Sequence, residues 1–283
     1  MKKILCPTDF SKTATKAAEY AALIARQAGG HLTLLHVVHL PIVDTSETAL
    51  VASELLGEQM QDAEQRLKEL CLRMEEGHGA NRGGGFTCDY IIKEALLTDI
   101  TEHLTKTSGY DLVVMGTTGG GNALEELLIG SNAEAVIEQV KCPVLSVPST
   151  AASPQIRKII YASDYEKDDI ATLREVLEFA SLFGASVDVV HVTKEASESG
   201  REKAERFWQE LQQTFVGAPI RFQEVISRHR DEGLRNYYKE TQADMVAILR
   251  REKGFLRALF TQSLAEKMTY QAEVPLLVLK GRK

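Results

Sequence analysis

Lys3-Ile4-Leu5-Cys6-Pro7-Thr8-Asp9-Phe10-Ser11 returns 155 positions later as Lys158-Ile159-Ile160-Tyr161-Ala162-Ser163-Asp164-Tyr165-Glu166. Leu34-Leu35-His36-Val37 matches Val189-Val190-His191-Val192 at the same offset. Asp111-Leu112-Val113-Val114 matches Asp244-Met245-Val246-Ala247 at 133, and Cys142-Pro143-Val144-Leu145 matches Val274-Pro275-Leu276-Leu277 at 132. Four anchors in one order make this an internal repeat. The falling offset puts the deletion in the middle of the second copy, where the first has a longer helix and a glycine-rich loop. Pro148-Ser149-Thr150-Ala151-Ala152-Ser153-Pro154, small residues between two prolines, reads as the linker. The expected domains are 1–150 and 151–283.

Within the first copy, strand and helix alternate. Residues 3–7, 32–38, 112–115 and 144–147, and residues 87–92 after the turn Gly83-Gly84-Gly85, are expected as strands. Ser11 to Gly29 is an alanine-rich helix stopped by Gly29-Gly30. Ser46 to Glu76 is a long helix with one apolar stripe of Leu56, Met60, Ala63, Leu67, Leu70 and Met74. Residues 98–107 and 131–139 complete the set. The pattern predicts an α/β fold: two similar doubly wound domains, each a five-stranded parallel sheet with helices on both faces. Ligands of such sheets sit beyond the carboxyl ends of the strands, where the strand order reverses.

Composition bounds the rest. The chain has 283 residues, enough for two domains. Hydrophobic residues make up 44% and charged residues 26%, the balance of a globular protein rather than a disordered one. No apolar run approaches the ~18 residues of a membrane span. Pro7 and Asp9 interrupt any signal-peptide core, so a cytoplasmic location is expected. The formal charge of −7 argues against nucleic-acid binding. Residues 1–150 carry 12 Lys+Arg against 20 Asp+Glu, while residues 151–283 carry 21 against 20, so the copies differ in chemistry. Cys6, Cys71, Cys88 and Cys142 form no C-x-x-C pair. Cys6 and Cys142 read as buried thiols, and no disulfide is expected. His31, His36 and His39 lack ligand spacing, so no metal site is expected.

The residues that follow the first, second and fourth strands carry the candidate chemistry. Asp9 is placed either to accept ribose hydroxyls or to cap the helix near Ser11. At His36-Val37-Val38 a backbone N–H and C=O can read an adenine edge. Gly116-Thr117-Thr118-Gly119-Gly120-Gly121-Asn122 is a loop whose glycines allow close backbone approach. Gly130-Ser131-Asn132 then opens a helix whose free N–H groups favour an anion. Ser131 either caps that helix or donates to a phosphate. The loop is neither a Walker A sequence nor G-x-G-x-x-G.

With Pro7-Thr8-Asp9-Phe10-Ser11, Leu34-Leu35-His36-Val37, Asp111 to Gly116, Gly116-x2-Gly119 … Gly130-Ser131 and Cys142-Pro143-Val144-Leu145 in this order, the chain resembles the universal stress protein family in its tandem form. The resemblance covers both copies. It implies a Rossmann-like, adenine-nucleotide-binding sheet and, in the family's ATP-binding branch, the pattern G-2x-G-9x-G-S/T. By motif position, Pro7 and Thr8 would border the nucleotide and Asp9 would hold the ribose. Val37 would meet adenine through its backbone. Gly116, Gly119, Gly120, Gly130, Ser131 and the Asn132 amide would cradle the phosphates of ATP, accompanied by Mg²⁺. Ten residues, not nine, separate Gly119 from Gly130. The extra residue either bulges at Gly120-Gly121 or displaces the cradle.

In the second copy Leu249 stands for Gly116, Glu252 for Gly119 and Gln262 for Gly130; Ser263 alone keeps its partner, Ser131. ATP is therefore expected in the N-terminal domain only. Arg250, Arg251, Lys253 and Arg257 read as a solvated loop, or as a patch for an anion or acidic partner. The function expected is a regulator that binds ATP in residues 1–150 and signals through conformation or partner choice. The alternatives are a slow ATP hydrolase, for which no water-positioning motif or catalytic residue stands out, and an ATP-independent scaffold or binder of another small ligand. The last strand of each copy, Val144 to Val147 and Leu276 to Leu279, is an apolar edge that calls for cover. The resemblance implies intramolecular, pseudo-twofold pairing of the domains through these strands and leaves a homodimer open.

Overall fold

A computed structural model describes residues 1–38, 46–76, 85–117, 131–152, 154–251 and 275–281, apart from the side chains of residues 46–52, 131 and 231. Gly119, Gly120 and Gly130 of the expected cradle, and the second copy's loop from Glu252 through Ser263, lie outside the described residues, as does the side chain of Ser131. The chain divides into two units, Met1–Ser149 and Thr150–Lys283.

The first unit runs β1 (Lys3–Pro7), α1 (Lys12–Ala28), β2 (His31–Val38), α2 (Ser46–Glu76), β3 (Thr87–Glu94), α3 (Leu97–Thr107), β4 (Leu112–Gly116), α4 (Ser131–Gln139) and β5 (Val144–Val147). Its strands pair in parallel in the order β3-β2-β1-β4-β5. β1 is flanked by β2 on one side, with Lys3 opposite His31, and by β4 on the other, with Ile4 opposite Leu112. The order therefore reverses between β1 and β4. Ile4, Leu5, Cys6, Leu32, Leu34 and Leu35 are wholly buried. A strand covered on both faces needs a continuous apolar run, and each such side chain contributes about 1.5–3 kcal/mol by leaving water. The repeated Asp111 has a structural duty: its carboxylate accepts the amides of Lys2 and Lys3 and fixes where β1 begins.

α1 starts where Ser11 accepts from the Ala14 amide, and ends at Gly29, whose φ of 55° is the left-handed conformation of a C-cap. Its buried face is mostly alanine, and small side chains let it approach the sheet closely. The approach is tightest at Gly116: a Cβ there would stand 2.8 Å from Thr13 Cγ2 and 3.1 Å from the Thr13 carbonyl carbon. Only glycine leaves room for that contact.

The apolar stripe of α2 is half right. Ala63, Leu67, Leu70 and Met74 are buried, but Leu56 is half-buried and Met60 exposed. Length explains the difference. Thirty-one helical residues span roughly 46 Å, whereas the eight residues of β2 or β3 span roughly 26 Å. Cys6 is buried as expected, and burial pushes its thiol up to about 12. Cys142 is only half-buried and lies outside β5. None of the four cysteines is in a disulfide.

The second unit runs β6 (Lys158–Ala162), α5 (Lys167–Ser181), β7 (Ser186–Thr193), α6 (Glu198–Thr214), β8 (Ile220–Ile226), α7 (Arg230–Thr241), β9 (Met245–Arg250) and β10 (Leu276–Lys280). Its strands are again parallel, in the order β10-β9-β6-β7-β8. Lys158 stands opposite Ser186 as Lys3 stands opposite His31, so the offset of 155 read in the sequence is also the offset of the register. Asp244 repeats the duty of Asp111 by accepting the amides of Arg157 and Lys158. Among the described residues no helix is long and apolar enough to cross a membrane.

Candidate functional site

At the carboxyl end of the first sheet, where the strand order reverses, lies a cavity of about 320 Å³. Pro7, Thr8, Asp9, Val37, Gly116 and Asn132 all line it. The structure thus brings together six of the ten residues picked out in the sequence. Ser131 begins α4, which directs the helix N-terminus and its free amides to the same place.

Each part has a local cause. Pro7 ends β1, and Thr8 turns inward: its hydroxyl accepts from the Phe10 amide at 3.1 Å and its carbonyl from His36 Nδ1 at 2.8 Å. That turn holds Phe10 at φ 63°, a left-handed conformation that costs a non-glycine residue about 1 kcal/mol. The ring of Phe10 packs between His36, 4.7 Å away, and the Arg66 guanidinium of α2, 3.9 Å away. Asp9 is exposed at the cavity mouth, and its Oδ1 accepts from the Ser11 amide at 2.9 Å. The helix cap is Ser11 rather than Asp9. Among the described residues the second Asp9 oxygen has no partner.

Val37 presents backbone. β1 stops opposite Leu35, whose carbonyl accepts from the Thr8 amide. Amide and carbonyl of alternate strand residues face the same side, so those of Val37 point where β1 would have continued. That open edge is part of the cavity wall.

Sequence reasoning missed one wall. Leu96, Leu97 and Thr98, at the start of α3, line the cavity with Ser11, Ala14 and His36. Leu96 is 62% exposed. The signal was available: the residues after the third strand meet the same end of the sheet, and only those after the first, second and fourth were weighed. Among the described lining residues, Asp9 is the single carboxylate and no lysine or arginine joins it.

In the second unit the counterparts of those walls, Ala162, Ser163, Asp164, Val190, Val192 and Leu249, enclose only about 20 Å³, and beside them Asp164, Tyr165, Asp168 and His191 border a separate cleft of about 540 Å³. Its scaffold repeats: the Ser163 hydroxyl accepts from the Tyr165 amide, the Ser163 carbonyl from His191 Nδ1, Tyr165 has φ 61°, and its ring stacks on His191 at 4.0 Å. Its contents do not repeat. Asp164, the counterpart of Asp9, pairs with Arg230 at 3.1 Å and Arg251 at 3.6 Å. Arg230 opens α7 as Leu97 opens α3. Arg251, taken from sequence as part of a solvated or anion-attracting run, is 17% exposed and bonded to carboxylates. Burial pushes Asp168 up, but the hydrogen bonds and charge of Arg251, with a backbone bond, outweigh it and hold the carboxyl below the usual carboxylate range.

Comparison with known proteins agrees with both halves of this description. The model of the Universal stress protein family matches residues 1–148 and again 155–280. Universal stress protein MJ0531 of Methanocaldococcus jannaschii is 34% identical over 149 residues, 52% of this chain and 81% of that protein. Universal stress protein Slr1230 of Synechocystis is 21% identical over 99% of this chain and 100% of its own. A universal stress protein from Archaeoglobus fulgidus shares the fold with a TM-score of 0.72 at 18% identity, over 99% of this chain and 98% of that one. The chain belongs to the universal stress protein family, in the tandem form that carries two family units.

Proposed function

We propose that the protein is a regulator that binds an adenine nucleotide, ATP with Mg²⁺, in the first unit only. The observation that carries this reading is the single cavity that gathers Asp9, the open backbone edge of Val37, Gly116 and the start of α4. Each suits one part of the nucleotide. A carboxylate with an uncommitted oxygen accepts ribose hydroxyls. A backbone N–H and C=O side by side pair with an adenine edge, and Leu96 and Leu97 offer apolar cover for the ring. A helix N-terminus favours phosphate. Among the described lining residues no carboxylate other than Asp9 stands near the phosphates. The second unit lacks these conditions, because the counterpart space is only about 20 Å³, Leu249 stands where Gly116 leaves room, and Asp164 is already paired. Binding would act through the conformation of the loop and helix that meet the phosphates, and so through the choice of partner.

Calorimetric titration of MgATP into the full chain tests this reading. One site per chain is expected, weakened by Asp9→Ala and untouched by Asp164→Ala. Two sites, or one site lost with Asp164→Ala, would overturn the assignment to the first unit. No heat and no thermal stabilisation would overturn nucleotide binding itself.

A further inference from the structure

Three carboxylates of the second unit converge on one guanidinium. Arg251 Nε donates to Asp168 Oδ2 at 3.1 Å, and Nη2 donates to Asp168 Oδ1 at 3.4 Å and Asp169 Oδ1 at 2.7 Å. Nη1 faces Asp164 Oδ2 at 3.6 Å, so every nitrogen of the group is engaged. Asp169 is wholly buried and is itself held in place. It accepts from the Tyr161 hydroxyl at 2.6 Å, the Ser163 hydroxyl at 2.8 Å and the amides of Asp164 and Glu166 at 3.2 and 3.0 Å. Five donors, one of them the Arg251 guanidinium, satisfy this buried carboxylate, and removing the guanidinium would leave it without its cationic partner. A planar fork that donates in two directions fits two carboxylates better than a point charge does.

The repeat shows that this was built as a unit. Asp169 and Asp168 stand where the first copy has Ala14 and Thr13, and Arg251 where it has Thr118. The two acids open α5, whereas the arginine follows β9. Either change alone would leave a charge unpaired in a closed space, so the acids and the arginine belong together.

We propose that the second unit's cleft is a guanidinium site, occupied by Arg251 as an internal ligand, so that this unit is complete without nucleotide. The group it recognises is a cationic planar fork instead of a phosphate. The proposal stands whether or not the first unit takes ATP.

Thermal melting of the full chain carrying Arg251→Ala tests it, with ethylguanidinium, ethylammonium and inorganic triphosphate each added at millimolar concentration. Loss of Arg251 is expected to lower the melting temperature on the order of 5–10 °C. Ethylguanidinium should restore part of that loss in the variant and do nothing to the wild type, while equal ethylammonium restores less. Arg251→Lys, which keeps the charge and loses the fork, should fall between the two proteins, and it serves as the test if the alanine variant does not fold. A lysine variant as stable as the wild type would overturn the proposal. So would an alanine variant that melts like the wild type, responds equally to both amines, or is stabilised more by triphosphate.

Discussion

The clefts of the two units share a frame and oppose each other in content. Both have the same β1-type register, the same hydroxyl-to-amide turn, a histidine bonded to the turn carbonyl, and an aromatic residue at φ near 60°. Yet among the described residues the first is lined by one carboxylate, whereas the second unit's counterpart space is nearly closed and borders a cleft lined by Asp164, Glu166, Asp168, Glu195 and Glu224 against Lys203, Arg230 and Arg251. Buried strands and a turn specify the fold, and a few side chains at strand ends specify the site, so one can change while the other stays. The second cleft also shows what happens when the ligand's place is filled by the chain itself.

The sharpest way to break this contrast is at Asp169. Asp169→Ala strips the centre of the second cleft and strands Arg251, so a loss of about 3–5 kcal/mol is expected from urea denaturation. A loss below 1 kcal/mol would mean that the network is ornamental. Next is an exchange between the copies: Gly116→Leu gives the first unit the residue that Leu249 supplies in the second. The new Cβ meets Thr13 at 2.8 Å, so about 1–3 kcal/mol of stability should go, and the heat of MgATP binding with it. Asp9→Ala should lower ATP affinity roughly tenfold, the worth of one or two hydrogen bonds, and leave the melting temperature nearly unchanged because Asp9 is exposed. Equal affinity in that variant would remove Asp9 from the site.

The smallest effect is in pH. Asp168 is held below its ordinary value in the folded chain, so its contribution to stability is present above its unfolded pKa of about 3.9 and is lost as pH falls through the folded value. Arg251 stays charged throughout. Denaturation midpoints measured from pH 6 downward should therefore fall less steeply below pH ~4 in Arg251→Gln than in the wild type.

Much of the first unit was legible in the sequence because its signals are local. Strands buried on both faces show as unbroken apolar runs, as in Leu112 to Met115, and Gly29 announces the end of α1. Repetition then fixed the second unit's strands. What escaped depends on contacts between distant segments. Lys167-Asp168-Asp169 looks like any acidic first turn of a helix, and Arg251 lies 82 positions from the carboxylate that it neutralises. The stripe of α2 overran its burial because periodicity tells which face is apolar and not how far the sheet extends beneath it. Leu96 to Thr98 escaped because they come after an edge strand, and their part in the cavity wall depends on where α3 begins.

That overhang divides α2 into two regimes of opening. Leu55 and Met60 are exposed while Leu67, Leu70 and Met74 are packed, so the turns around residues 55–60 rest mostly on helix propensity and the late turns on tertiary burial as well. In deuterated solvent the single helix should therefore exchange as a gradient: amides near residues 55–60 within fraying times, and those of residues 67–74 only when the first unit opens as a whole.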